Sequence, residues 1–190
     1  MKSTNYLPSI LKQFEYYKML GDRTFAQLTD EHLFWKPDPE ANSIGVLVNH
    51  LSGNMKSRWT DFLTSDGEKP WRDRDGEFED RLKDRKAVET AWESGWECLF
   101  GAIRPLTDED LAQTIYIRNM GHTVTEAINR QLAHYAYHIG QIVFLGRQLK
   151  GPSWQSLSIP KGGSKTYNAK TFAKGKRQEH FTDEFLKDEE

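Results

Sequence analysis

The segment from Val124 to Leu149 constrains this chain more than any other. Its apolar residues recur at intervals of three and four, and Ile128, Leu132, Tyr135, Ile139, Ile142 and Leu149 form the core stripe of one long helix. Thr123 with Glu126 supplies a capping box at its start, and Gly151-Pro152 ends it. Beside the stripe runs a polar seam of Gln131, His134, His138 and Gln141. His134 and His138 stand about 40° apart around the helix axis, so both can aim at one ion. Ala133, Gly140 and Phe144 lie away from that seam, which leaves the back of the helix able to meet another helix or a second subunit.

Three further helices have the same period. Leu7, Ile10, Phe14, Tyr17, Gly21, Thr24 and Leu28 define the first, which starts near Pro8, a residue tolerated only in a first turn. Thr29-Asp30-Glu31-His32 reads as a new cap, and Pro37 and Pro39 forbid continuation. Ser43 caps the second, with Ile44, Val48, Leu51, Met55, Trp59 and Phe62 as its stripe and Leu47, His50, Asn54, Ser57 and Asp61 as its seam. Asp84 caps the third, which carries Val88, Trp92, Gly95, Leu99 and Ala102 and closes at Pro105. The polar, charged stretch from Thr64 to Arg81 reads as a solvated loop. Ile115-Tyr116-Ile117, turned back at Asn119-Met120-Gly121, allows a short β-hairpin before the fourth helix. The expected fold is all-α, a four-helix bundle over residues 1–160, with 161–190 as an extended, partly disordered charged arm.

Composition narrows the function classes. A formal net charge of −2 with 28% charged residues gives no general attraction to nucleic acid or to an anionic membrane surface. The first residues lack an apolar signal core and no run approaches spanning length, so the reading is cytoplasmic, with no membrane partner. Cys98 is the only cysteine, which rules out an intramolecular disulfide and fits a small buried hydrophobe better than a catalytic thiol. Phosphate-binding glycine loops, a dinucleotide fingerprint and a nucleophile elbow are all missing.

His50, in the second helix's seam, matches the pair in the fourth. A lone H-x-x-x-H also fits ordinary core histidines; three neutral imidazoles with an open fourth position fit a catalytic metal site. On residues alone both readings stand. Asn54, Gln131 and Gln141 are candidates to orient rings or bound water. His32 and His180 read as solvent-exposed, and His122, at the end of the hairpin, as a secondary candidate for ligand or substrate contact. Without H-E-x-x-H spacing, a zincin peptidase is not indicated.

Ser43-Ile44-Gly45-Val46-Leu47-Val48-Asn49-His50-Leu51 and His134-Tyr135-Ala136-Tyr137-His138-Ile139-Gly140-Gln141-Ile142 resemble the DinB/YfiT-like family of metalloenzymes. Ser57-Arg58-Trp59-Thr60-Asp61-Phe62-Leu63, Asp66-Gly67-Glu68-Lys69-Pro70, Arg72-Asp73-Arg74-Asp75 and Trp154-Gln155-Ser156-Leu157-Ser158-Ile159-Pro160-Lys161-Gly162 extend the resemblance to one uncharacterised subfamily. It implies an up-down-down-up four-helix bundle, often dimeric, with His50, His134 and His138 as metal ligands. It further implies a divalent ion, zinc or nickel first and iron or manganese next, and a small-molecule substrate. The family includes transferases of low-molecular-weight thiols, so the expected function is thiol S-transfer or a related detoxification. A metal-dependent hydrolase, or a non-enzymatic metal-binding stress protein acting as a dimer, are the alternatives. Arg58, Arg72 and Arg74 are candidates for the carboxylates of a thiol cofactor, set against simple ion pairs with Asp61, Asp73 and Asp75.

Overall fold

The computed structural model describes residues 5–187. Among these residues the order is α1 (Tyr6–Phe25), α2 (Asp30–Phe34), α3 (Ile44–Trp59), α4 (Arg85–Ile103), β1 (Thr114–Ile117), β2 (Met120–Thr123), α5 (Val124–Lys150) and α6 (Ser164–Phe172). The protein is thus mostly helical with one small antiparallel sheet. None of these helices is long and apolar enough to cross a membrane.

Local chemistry sets most of the helix starts. Ser43 Oγ accepts from Val46 N at 3.2 Å, and Asp84 Oδ1 accepts from Ala87 N at 2.7 Å. At α5 the capping box is reciprocal: Thr123 N–H donates to Glu126 Oε2 at 2.7 Å, and Glu126 N–H donates to Thr123 Oγ1 at 3.1 Å. Thr29 forms a related turn, its N–H donating to His32 Nδ1 at 3.3 Å, and the result is the five-residue α2.

The long helices close around one core. α3 packs on α4 and α5, and α1 packs on α5 and α4. At its centre Tyr135 is fully buried, with its ring 6.0 Å from that of Phe14 and 6.1 Å from that of Trp96. Its hydroxyl donates to Asn54 Oδ1 at 3.1 Å and accepts from Trp59 Nε1 at 3.0 Å. That phenol locks the rotation of α5 against α3 and so sets where its neighbour His134 points.

Several boundaries differ from the sequence expectation. α3 ends at Trp59, because Asp61 is left-handed (φ 47°) and its carbonyl accepts from Ser65 N at 2.9 Å; Phe62 joins the core from beyond the helix. The hairpin turns at Arg118-Asn119, one residue earlier than expected, both with positive φ as a tight two-residue turn requires. The Asp66 carboxylate accepts from both turn amides at 2.8 Å.

The 64–81 stretch is not simply solvated. Gly67 N–H donates to Tyr116 O at 2.8 Å, and Lys69 and Glu77 are buried. After Lys161, α6 stands where an extended arm was expected, and the chain returns along α1. There Lys12 pairs with Asp183 at 2.6 Å and the Tyr16 ring meets those of Phe181 and Phe185. His180, expected in solvent, is part-buried, with Nε2 at 3.0 Å from Ser9 Oγ. The extreme ends of the chain, read as lacking a signal core at residues 1–4 and as disordered at 188–190, lie outside the described residues.

Candidate metal centre

Helix period puts His50 on the inner face of α3, and His134 and His138 one turn apart on the facing side of α5. Their Nε2 atoms converge: His134 lies 3.2 Å from His50 and 3.1 Å from His138. One ligand nitrogen from each histidine falls within 4.8 Å of the other two, so the cluster could hold a metal ion. Tetrahedral ligands at zinc–nitrogen length sit about 3.3 Å apart, close to the two separations from His134. His50 and His138 are buried, while His134 is half-buried, which leaves the approach on its side.

Glu77, from a 3-10 turn at Gly76–Phe78, fixes the tautomer of His50. Its Oε2 lies 2.9 Å from His50 Nδ1. An ionised carboxylate can only accept, so Nδ1 carries a proton, and it is Nε2 of the neutral ring that can present a lone pair to the cluster. The Phe78 ring stacks on His50 at 4.6 Å. Burial is the largest influence on Glu77 and pushes its carboxyl up. Hydrogen bonds from His50 and Arg72, with the charge of Arg72, outweigh it and hold the carboxyl below its ordinary value.

The other two histidines are disposed to stay neutral. Burial first, then the neighbouring histidines and the charges of Arg58 and Arg72, lower His134 to about 3. Burial and His50 lower His138 to about 4. Without an ion the two short Nε2 contacts of His134 are of hydrogen-bond length, and with an ion all three nitrogens can turn a lone pair to it. Nδ1 of His134, Nδ1 of His138 and Oε1 of Gln131 are buried without a hydrogen-bond partner.

The remaining sequence candidates divide. Asn54 serves Tyr135, and neither it, Gln131 nor Gln141 bonds a histidine of the cluster. His122 lies outside it, with Nδ1 on Met120 O and Nε2 accepting from Arg130. Arg58 and Arg72 are not paired with Asp61 and Asp73. Arg58 donates to Gly67 O and to Glu68, while Arg72 forks onto Glu77 at 2.7 and 2.9 Å and reaches Glu68 at 3.3 Å. Arg74 alone keeps its expected neighbour, Asp75 at 3.9 Å, and stays half-exposed over the Phe78 ring.

Glu77 was missed because nothing in its loop marks it. The legible signal lay elsewhere: Gly53, one turn past His50 in a helix interior, makes room for a close approach. A Cβ there would meet Glu77 Oε1 at 2.4 Å.

The fold and cluster define a mainly helical protein with a three-histidine group able to hold a metal ion between two helices. The chain belongs to the family described as "Protein of unknown function (DUF1572)", whose model matches residues 1–163. A comparison with curated proteins gives no match.

Proposed function

We propose that this chain is a metal-dependent enzyme of the DinB/YfiT-like kind, built as an up-down-down-up four-helix bundle from α1, α3, α4 and α5. His50, His134 and His138 would hold one divalent ion, with zinc or nickel preferred and iron or manganese next, since imidazole ligands suit several of these. The observation that carries the reading is the approach of His50 and His138 Nε2 to within 3.1–3.2 Å of His134 Nε2, with the far nitrogen of His50 already committed to Glu77.

When bound, such an ion supplies positive charge that favours the thiolate of an incoming thiol over the thiol. The chain's own residues do the rest. Neutral histidines leave the charge uncompensated, so an anionic sulfur is preferred at the open position. Arg58 and Arg72 are committed to Glu68 and Glu77, which leaves Arg74 to meet a carboxylate of the thiol. The reaction class is transfer of a low-molecular-weight thiol to a small electrophile: a carbon–sulfur bond forms, the leaving group departs, and the thiol proton goes to solvent. The apolar back of α5, with Tyr137 and Phe144 exposed at 67% and 66%, is the face on which a second copy would pair.

Metal content of the purified full-length protein tests the site. About one equivalent in the wild type, lost in a folded His134→Ala variant, is the expected result; equal traces in both would overturn it. Conjugation of a thiol to a model electrophile, dependent on metal and abolished in a folded His50→Ala protein, tests the reaction.

A further inference from the structure

The carboxylate on His50 is itself held from behind. Arg72 donates to both oxygens of Glu77, and the side chains of Arg72 and Glu77 are 2% and 7% exposed. Glu68 takes Arg72 in turn, and also Arg58 and Arg118. The backbone of this turn is anchored independently, since Asn49 Nδ2 donates to Glu77 O at 2.9 Å. Tying down a loop therefore does not require a buried ion pair, whose desolvation roughly cancels its attraction. Nor does it require Gly53, a poor helix former, to admit the carboxylate. Two locally unfavourable choices meet at one atom, His50 Nδ1. The corresponding atoms of His134 and His138 have no partner, so the three histidines are unequal.

We propose that Glu77 and Arg72 are positioning residues of the metal centre, making His50 its strongest ligand. Glu77 holds the ring orientation and the Nδ1–H tautomer and makes Nε2 more basic, while Arg72 keeps the carboxylate in place. The inference rests on the three-histidine reading above. It also couples the ion to the 68–78 loop, because any ion on His50 stiffens the ring that Glu77 and Phe78 hold.

The test uses full-length protein, zinc competition against a chromophoric chelator, and the visible spectrum of the cobalt-loaded form. Glu77→Gln keeps an acceptor for Nδ1 but loses the charge and the fork with Arg72. Zinc affinity is expected to fall about 10–100-fold, with a changed cobalt spectrum, while the metal-free protein keeps its circular dichroism. Glu77→Asp, which keeps the charge but is one methylene shorter, should fall between the two. A purely structural role would lower metal-free stability and leave zinc affinity within twofold, and that result overturns the proposal. In the wild type, zinc should slow amide exchange across residues 68–78, a readout that needs no variant; unchanged exchange there counts against the coupling. Tight wild-type binding with Glu77→Gln unaffected removes this inference alone, whereas a wild type that binds none of zinc, nickel, iron and manganese removes it together with the proposed function.

Discussion

Replacing Gly53 by alanine sets two forces against each other at one position. Gly53 lies inside α3, so alanine by itself should strengthen the helix by about 1 kcal/mol. The new Cβ, however, would stand 2.4 Å from Glu77 Oε1 and 2.7 Å from its Cδ, and something must move. The carboxylate is not a free end: Arg72 holds both oxygens and His50 holds one. Removing one partner of a buried pair costs about 3–5 kcal/mol, and displacement that keeps part of the pairing costs roughly 2–4 kcal/mol. After subtracting the helix gain, the variant should be about 1–3 kcal/mol less stable than the wild type. Urea unfolding of metal-free protein, followed by circular dichroism and tryptophan fluorescence, reads this as a midpoint lower by roughly 1 M. A midpoint equal to or above the wild type would refute the reasoning: the contact would then be slack, and the glycine would owe its place to something other than Glu77.

Acid should destabilise the metal-free protein earlier than its carboxylates explain. His134 and His138 sit at about 3 and about 4 when folded, against 6.5 unfolded, so below pH 6.5 the unfolded chain binds protons that the folded chain refuses. Stability therefore falls from pH 6.5 towards 4 and levels once the folded rings protonate; chelator-treated melts at pH 7.5 to 4.5 should show this, with a shallower slope in His134→Gln. An unchanged slope in that variant would remove the assignment. At Gly140, exposed in α5, a Cβ meets nothing within 4 Å, so Gly140→Ala should raise the unfolding free energy by up to about 1 kcal/mol in dilute protein. If α5 pairs two copies back to back, the same methyl should weaken the dimer in light scattering on dilution; an unaffected dimer would place the interface elsewhere.

How much of this was legible from sequence depends on how far away each cause lies. The starts of α3, α4 and α5 were readable because Ser43, Asp84 and Thr123 act on amides three residues on. The cluster was readable because period alone brings His134 and His138 to one face, and His50 repeats that placement in α3. Features set by distant residues were not. The hairpin turn is fixed by Asp66, about fifty residues earlier, which is why Arg118-Asn119 displaced the more turn-prone Asn119-Met120-Gly121. Arg58 and Arg72 found Glu68 and Glu77 because the loop folds inward, which a mixed-charge pattern does not reveal. The return of residues 180–185 depends on Ser9, Lys12 and Tyr16 at the other end of the chain.

The unequal placement of the three histidines also bears on how the chain assembles. Two are a single turn apart on α5, and the third is 84 residues earlier, on α3. An unfolded chain can offer an ion only the local pair, and that grip exists only once α5 has coiled. His50 can join only when α3 docks on α5, and an ion on all three would close a ring of polypeptide running through α4 and the hairpin. Loading would thus proceed from a weak two-point hold to a strong three-point one. A misdocked molecule would keep only the weak hold and would surrender the ion to a mild chelator. An ion retained against that chelator would then report that α3 has docked correctly on α5.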